Sequence, residues 1–163
     1  AHIRFLGQQL KPLDRRIARE LERFPNTLLS VPGIGPVYAA GLVAEIGDIA
    51  RFSDVDALAK DAGLWWPRRQ SGEFEAADRS LSKAGNAYLR YYLCEAANSL
   101  RVHNEAYRQF YERKYRETPK HPHKRATVLT ARKLVRLVYA LLRTNQLYAG
   151  PGALSPHKPP RRR

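Results

Sequence analysis

The serine in Gln70-Ser71-Gly72 is one side chain of this 163-residue sequence that could take part in nucleophilic chemistry. A serine hydroxyl is a weak nucleophile until a base or a metal ion activates it. Arg68 and Arg69 come just before Ser71, and positive charge of this kind stabilises the non-bridging oxygens of a phosphate during its transfer. No base is evident nearby. From the residues alone, a serine in an ordinary turn is the simpler interpretation.

Two cations and two hydroxyls downstream bear on the same chemistry. Lys83 and Arg90 reach the phosphate that Ser71 would attack if the loop before them folds back on the following helix. Ser80 and Ser82 are rival nucleophiles, although Ser82 is more typical of a residue that caps the next helix.

Aromatic and imidazole groups offer two further kinds of site. Tyrosines at helical spacing are typical of core or stacking positions rather than of nucleophiles: Tyr88, Tyr91 and Tyr92. The segment His121-Pro122-His123 has no cysteine or acidic partner nearby, and two ligands make a weak metal site. We therefore assign no metal and no cofactor to this chain.

The segment 28–42 predicts a helix, a tight Gly-Ile-Gly turn and a second helix. Gly33 and Gly35 allow left-handed backbone in the turn, and Pro36 suits the first position of a helix. Exposed amides at a helix N-terminus bind a phosphate oxygen. The alternative is an ordinary corner between helices, with no ligand. The predicted nucleic-acid contacts are Gly33, Ile34, Gly35 and Val37.

The balance of charge favours a polyanionic partner. Lys and Arg total 29 against 15 Asp and Glu, a formal net charge of +14. Nucleic acid is the commonest such partner, and acidic membrane surfaces and ribosomal RNA are alternatives that charge alone does not exclude. No apolar run has the length of a membrane span, and the lone Cys94 suits a reducing cytosol.

Residues 124–143 predict the clearest amphipathic helix of the chain. Arginines spaced by 7, 4 and 7 positions form a narrow stripe opposite its apolar side, and no acidic residue interrupts the stripe. A cationic face without acidic partners favours contact with phosphates over simple solvation. The residues of this stripe are Arg125, Arg132, Arg136 and Arg143.

The spacing of apolar residues predicts a mainly α-helical fold. Ser53 is the expected N-cap of a short helix over 54–62, and Asn86 precedes a helix that runs to about residue 100. Asn104 caps another helix, whose tyrosines form one stripe: Tyr107, Tyr111 and Tyr115. The helix that follows the glycine turn has small residues on which the preceding helix is expected to lie: Ala39, Ala40 and Gly41.

Two segments lack a clear helical pattern. Residues 64–82 are interpreted as a functional loop with short strands over 64–66 and 72–74. The tail 149–163 is rich in Pro and Gly and ends in three arginines, so we expect a disordered segment that adds electrostatic attraction only. The predicted organisation is therefore a helix over 1–25, a helical domain over 26–148 and this tail.

The first 25 residues carry apolar side chains close to the heptad spacing of a coiled coil: Ile3, Leu6, Leu10, Leu13, Ile17, Leu21 and Phe24. Pro12 interrupts the pattern, so the expected helix starts at Pro12 and anything upstream is kinked or separate. A helix packed on its own domain and the end of a longer coiled coil both remain open. A sequence without methionine that begins with alanine is expected to be a piece of a longer protein.

Three segments and the glycine turn together resemble a known family. The segments are Gly63-Leu64-Trp65-Trp66-Pro67, Gln70-Ser71-Gly72 and Ser82-Lys83-Ala84-Gly85-Asn86-Ala87-Tyr88-Leu89-Arg90. From about residue 28 to residue 148, the sequence is similar to the C-terminal transposase domain of bridge-RNA-guided insertion-sequence recombinases, the family that includes the Piv DNA invertases. It departs from the family pattern in one extra residue before Pro67 and in three acidic residues: Glu73, Glu75 and Asp78.

This resemblance implies a recombinase whose remaining parts lie outside the sequence. A coiled coil would join the helical domain to a RuvC-like domain with acidic ligands for a divalent metal, expected to be Mg²⁺. Ser71 would be the nucleophile that forms a covalent link to DNA. The implied partners are DNA, a structured guide RNA and further copies of the chain, in the cytoplasm of a bacterium or archaeon and associated with its nucleoid. A non-catalytic helix-hairpin-helix module is the alternative, and it does not need Ser71.

Overall fold

The computed structural model describes residues 2–24, 26–67, 70–71, 74–75, 81–150 and 154–156. Within these residues the chain forms six α-helices, two 3-10 turns and four short strands. The helices are α1 (His2–Leu21), α2 (Pro36–Ile46), α3 (Val55–Asp61), α4 (Ala87–His103), α5 (Glu105–Arg116) and α6 (Pro122–Thr144). The 3-10 turns are Leu28–Ser30 and Ile49–Arg51, and the strands are β1 (Gln70–Ser71), β2 (Phe74–Glu75), β3 (Gln146–Tyr148) and β4 (Leu154–Pro156). The predicted mainly α-helical fold is confirmed.

Helices α4 and α6 form the centre of the core. Helix α4 packs against α2, α5 and α6, and α6 packs in addition against α3. Burying apolar side chains on several sides of both helices supplies the main favourable free energy of folding. The fully buried side chains of these two helices include Leu89, Leu93, Leu100, Leu134, Val135 and Leu141.

Two asparagines begin α4 and α5, as the sequence predicts. The Asn86 side chain accepts hydrogen bonds from the amides of Tyr88 and Leu89 at 2.9 and 3.0 Å. Asn104 accepts from the amide of Ala106 at 3.1 Å. A side-chain oxygen at the N-cap satisfies amides that have no acceptor within the helix. These contacts fix where the two helices start.

The small residues of α2 accommodate α4 rather than the segment before the turn. A Cβ built at Gly41 would lie 2.4 Å from the ring of Tyr92, which belongs to α4. The expectation that the preceding helix lies on this face is therefore wrong at Gly41, whereas Ala40 lines the groove between α1 and α2. An aromatic ring fits against the bare backbone of Gly41, so the two helices approach closely.

Helix α1 continues through Pro12, so the prediction that the helix starts there is wrong. Proline inside a helix removes the hydrogen bond to the carbonyl four residues earlier. The surrounding turns of α1 are exposed, so solvent satisfies that carbonyl group, and the packing of Leu21 against the core holds the end of the helix.

The first half of α1 carries its apolar stripe in contact with solvent. Ile3 is 87% exposed, and Leu6 and Leu10 are 58% and 55% exposed. Further along, the helix packs on α2, and the two form an apolar groove of about 590 Å³ that Leu13, Ile17 and other side chains line. In the second half of the stripe Ile17 is half-buried and Leu21 is buried, whereas Leu13 and Phe24 are 53% and 57% exposed.

Two local predictions around α3 and the loop after it are corrected. Asp54, not Ser53, is the N-cap of α3, because its side chain accepts a hydrogen bond from the Ala57 amide at 2.8 Å. Residues 64–66 form no strand, and the described strands of the loop are Gln70–Ser71 and Phe74–Glu75, while residues 72 and 73 of the predicted strand 72–74 lie outside the described residues. The position of the cap and the positions of the strands depend on local hydrogen bonds, which the spacing of apolar residues does not predict.

The described part of the predicted tail contains one short strand. Strand β4 pairs with β3 in antiparallel register, with Tyr148 opposite Leu154. Tyr148 belongs to the domain, since its amide donates to the Ser30 hydroxyl at 2.9 Å and its hydroxyl accepts from Asn104 at 2.8 Å. The prediction for 151–153 and 157–163 lies outside the described residues.

Candidate nucleic-acid interface

The turn before α2 is held in place by α4 and α6. Gly33 has φ +100°, and a Cβ at this position would lie 3.2 Å from the Cα of Leu100 in α4. Before the turn, the Thr27 hydroxyl donates to the carbonyl of Leu141 in α6 at 3.0 Å. Only Gly33 uses left-handed backbone, because Gly35 has φ −80°. The turn is therefore part of the packed core and not a free loop.

The first arm of the predicted hairpin is a single 3-10 turn, so the predicted helix is wrong there. Only six residues separate Pro25 from Pro32, which leaves no room for an α-helix of ordinary length. Ile34 is 3% exposed, and its amide donates to the carbonyl of Val31 at 3.0 Å. The Ile34 side chain and amide therefore serve the turn itself.

The N-terminus of α2 has amides without an internal acceptor. Gly35 is the N-cap and no side chain of the described residues caps the helix. Pro36 has no N–H, which leaves the amides of Val37 and Tyr38 as the unpaired donors of the first turn. Val37 is 38% exposed. This arrangement suits an anionic oxygen, and the predicted phosphate contact at Gly35 and Val37 stays a prediction.

The arginines of α6 do not form one uniform face. Arg132 is only 20% exposed in its side chain and pairs with Asp56 of α3 at 2.5 Å, so the expectation of a stripe without an acidic partner is wrong at this position. Arg125, Arg136 and Arg143 are exposed. A paired arginine releases fewer counterions on binding a phosphate, so these residues are not equivalent contacts.

A second set of cations on α5 and α6 is used for packing. The Lys133 ammonium lies 4.7 Å from the ring centres of both Tyr107 and Phe110. Burial, followed by the charge of Arg113, lowers the pKa of Lys133. Cation–π contacts of this kind stabilise the α5–α6 contact. Sequence spacing identified the tyrosine stripe of α5 but not this lysine.

Ser71 lies at the end of a two-residue strand, in register with Phe74 of β2. The side chain of Ser71 lies outside the described part of the structure, as do the predicted partners Arg68 and Arg69 and the rival Ser80. The backbone thus gives Ser71 a position beside the hairpin connection, and its assignment as nucleophile is untested.

The two ends of the loop that carries Ser71 are joined at the start of α4. One nitrogen of the Arg90 guanidinium donates to the carbonyls of Ala62 and Lys83 at 3.2 and 3.0 Å. The amide of Ser82 donates to the carbonyl of Trp65 at 3.0 Å. Arg90 and Lys83 therefore lie together where the loop returns, and their contact with a phosphate stays a prediction.

Ser82 does not cap α4. Its hydroxyl accepts a weak hydrogen bond from the Ala84 amide at 3.3 Å, and Asn86 is the cap of the helix. The prediction of a helix cap at Ser82 is therefore wrong. The reason is that Gly85, with φ +130°, separates the turn from the helix.

Ionisable groups elsewhere form no evident reactive centre in the described residues. No three His, Cys, Asp or Glu side chains in this part of the chain converge on a metal site. His123 lies 2.7 Å from the hydroxyl of Tyr111, so its ring is part of the α5–α6 contact. Burial raises the pKa of the Cys94 thiol to about 11. No described helix is long and apolar enough to cross a bilayer.

A basic helical domain with a buried glycine turn and an uncapped helix N-terminus is typical of proteins that bind nucleic-acid backbones. Residues 25–112 match the model of the family described as Transposase IS116/IS110/IS902 family. That match covers more than half of the chain, and the chain therefore belongs to this family.

Individual relatives agree with the family match. The chain is 31% identical over 152 residues to an uncharacterized 44.8 kDa protein of insertion element IS116 from Streptomyces clavuligerus, with 88% of this chain and 37% of the relative covered. It is 31% identical over 144 residues to an uncharacterized 42 kDa protein of insertion element IS900 from Mycobacterium paratuberculosis, with 88% and 35% covered. It is 34% identical over 108 residues to a probable family 20 transposase from Pseudomonas aeruginosa, with 60% and 31% covered. The chain thus spans about a third of the length of these curated relatives.

Proposed function

We propose that this chain takes part in DNA transposition as a nucleic-acid-binding portion of a recombinase. The observation that carries the proposal is the family match over residues 25–112, which include both the turn before α2 and the Ser71 segment. A net charge of +14 supports it, since a protein of this charge attracts polyanions over long distances. DNA and a structured guide RNA are the proposed partners.

The proposed contacts are made to the backbone of the nucleic acid. The unpaired amides of Val37 and Tyr38 suit a phosphate oxygen, and the exposed Arg136 and Arg143 suit neighbouring phosphates. Such contacts carry little sequence information. In this proposal the guide RNA therefore supplies the choice of target, and the protein supplies affinity and positioning.

We further propose that Ser71 is the nucleophile of strand transfer. Its hydroxyl oxygen would form a bond to the phosphorus of a DNA phosphodiester, while the bond from phosphorus to one deoxyribose oxygen breaks and that oxygen leaves with a proton. This exchange conserves the number of phosphoester bonds and needs no energy source. Lys83 and Arg90, which lie at the return of the same loop, would stabilise the charge on the phosphate.

The metal and the base of the reaction are proposed to belong to a separate RuvC-like domain. The described residues of this chain offer no cluster of carboxylates or histidines for a metal. In this proposal the residues that bind Mg²⁺ belong to the RuvC-like domain, and the serine becomes reactive only in the assembled protein.

The nucleophile is tested in the full-length protein by Ser71→Ala. This variant should lose the covalent protein–DNA adduct on a denaturing gel and keep its affinity for nucleic acid. Ser82→Ala is the matched control, since it removes a nearby hydroxyl that serves only a turn, and it should keep the adduct. An adduct formed by Ser71→Ala but not by Ser82→Ala would contradict the assignment. The 163-residue chain alone should form no adduct in Mg²⁺.

The exposed stripe of α1 supports a proposed contact between copies of the chain through a coiled coil. Ile3, Leu6 and Leu10 are each more than half exposed and repeat at heptad spacing. Replacing Leu6 and Leu10 by Ser should shift the mass measured by sedimentation equilibrium toward the monomer. A monomeric wild-type chain would contradict this part of the proposal.

A further inference from the structure

The two tryptophans of the chain lie side by side at a cleft that no predicted contact explains. The cleft has a volume of about 360 Å³, in the size range of sites for small ligands. It lies between α3, the segment that follows α3, and α6. Its lining residues are Asp56, Lys60, Trp65, Trp66 and Arg132.

The backbone that carries the tryptophans is fixed on both sides. The amide of Leu64, whose side chain is fully buried, donates to the carbonyl of Ala59 at 2.8 Å. The carbonyl of Trp65 accepts from Ser82 at 3.0 Å. Both indoles are half-buried, so each keeps one part of its ring surface toward solvent. A backbone already held in position reduces the conformational entropy that is lost when a flat ligand stacks on these rings.

Arg132 brings a directed donor to this cleft. Its Nη2 donates to Asp56, whereas its Nη1 is buried and has no hydrogen-bond acceptor among the described residues. Asp56 is well exposed and offers an acceptor next to that donor, and the Lys60 ammonium lies 5.8 Å from the ring of Trp65.

These groups together match the parts of a nucleotide. Indole rings offer stacking surfaces for a base, an adjacent donor and acceptor suit the polar edge of a base, and a lysine nearby suits the attached phosphate. An isolated anion would use neither tryptophan and would be repelled by the Asp56 carboxylate. We propose that this cleft binds one unpaired nucleotide of a single-stranded nucleic acid, with its base on Trp65 or Trp66 and the polar edge of the base at the Asp56–Arg132 pair.

This inference rests on the proposed function, since it assumes that the chain binds nucleic acid. It adds that the bound nucleic acid is single-stranded at this cleft. Bases in a duplex are stacked and paired, so their faces are not accessible to an indole. Recombination exposes unpaired strands, and a site of this kind would hold such a strand beside the loop that carries Ser71.

Intrinsic fluorescence tests the inference without any variant. The chain contains two tryptophans and both line the cleft, so the whole indole signal reports on this site. A single-stranded DNA of about eight nucleotides should quench the fluorescence in a saturable way and bind about tenfold more tightly than an abasic strand of equal charge. A duplex of the same length should bind with little quenching. Affinity is measured separately from the anisotropy of a labelled strand.

Three variants and one control locate the effect. Trp65→Leu, Trp66→Leu and Arg132→Lys should each reduce the preference for the base-bearing strand, with circular dichroism to verify the fold. Tyr91→Leu removes a tyrosine that is 56% exposed on α4 and should keep the preference.

The outcomes separate this inference from the proposed function. Binding without quenching and without preference over the abasic strand overturns the nucleotide site and leaves the proposed function standing. No binding to any strand overturns the proposed function. A free nucleoside monophosphate that binds as tightly as the strand would show a site for a small metabolite and would also overturn the inference.

Discussion

The turn before α2 and the arginines of α6 are the two main predicted phosphate contacts, and the fold builds them in different ways. The turn is made of backbone, and a Cβ added at Gly33 would lie only 3.2 Å from the Cα of Leu100 in α4. The arginines are side chains whose surroundings vary along one helix. Arg132 is paired with Asp56, whereas Arg136 is exposed.

The difference shows how far each kind of site depends on distant parts of the chain. Glycine and proline restrict the backbone locally, so a turn with bare amides can be inferred from a few adjacent residues. The use of an arginine depends on what packs beside it, and Asp56 is 76 positions away from Arg132. Only the folded structure brings that pair together.

The largest expected effect separates the two glycines of the turn. Gly33→Ala forces alanine into left-handed backbone and places its Cβ 3.2 Å from Leu100, so we expect the free energy of unfolding to fall by about 2 to 4 kcal/mol. Gly35→Ala meets no atom within 4 Å and should cost less than about 1 kcal/mol. Urea unfolding measures both.

The same pair tests the phosphate site. Gly35→Ala keeps the fold but adds a methyl group beside the bare amides, so we expect it to weaken DNA binding at the turn. Arg136→Ala is the comparison, since it removes a cation of α6 and leaves the turn intact. Equal losses of stability for the two glycine variants would contradict the packing of Gly33 on α4.

The dependence of stability on pH tests the packing of α4, the helix against which the turn lies. Cys94 of α4 titrates in an accessible range, whereas the arginines of α6 do not. The unfolded thiol loses its proton above about pH 9, whereas burial keeps the folded thiol protonated up to its pKa of about 11. The unfolded state therefore binds fewer protons in this window, and stability falls as the pH rises from 9 to 11, by about 2 to 3 kcal/mol. Arginine stays charged throughout.

Cys94→Ala provides the control for this titration. Tyr107 is also buried, which raises its pKa above the ordinary value, so some loss of stability should remain in the variant. The difference in slope between the wild-type chain and Cys94→Ala isolates the thiol. Identical slopes between pH 9 and 11 would contradict the burial of Cys94.

The smallest expected effect compares two arginines of α6. Arg136→Ala should reduce the slope of log K against log salt by about 0.9 for duplex DNA, because one phosphate contact is lost. Arg132→Ala should leave this slope nearly unchanged, since Asp56 already neutralises Arg132. A larger change for Arg132 than for Arg136 would reverse the comparison.

The helix starts that could be predicted from the sequence are those with a single residue that strongly prefers the N-cap position. Asn86 and Asn104 each follow a turn and precede an apolar period, and both are caps in the structure. At α3 two good capping residues are adjacent, and Asp54 is the cap because its side chain accepts a hydrogen bond from the Ala57 amide. Spacing alone does not decide between neighbours.

The candidate site was less predictable than the helices. The turn and Arg136 were identified from local chemistry, but the pairing of Arg132 has no local signal. Trp65 and Trp66 were recognisable as part of a motif, whereas their neighbours Asp56 and Lys60 read as ordinary charges of a short helix. A cleft between α3 and α6 exists only once both helices are packed.

Helix α1 has a mechanical consequence for the assembled protein. It has 20 residues and therefore extends about 30 Å, and only its last turns rest on α2. The contact begins at Leu13, so about 17 Å of helix projects beyond it, and a change of about 10° in its tilt would displace the His2 end by about 3 Å. The exposed part of α1 therefore amplifies a small change of tilt at its contact with α2.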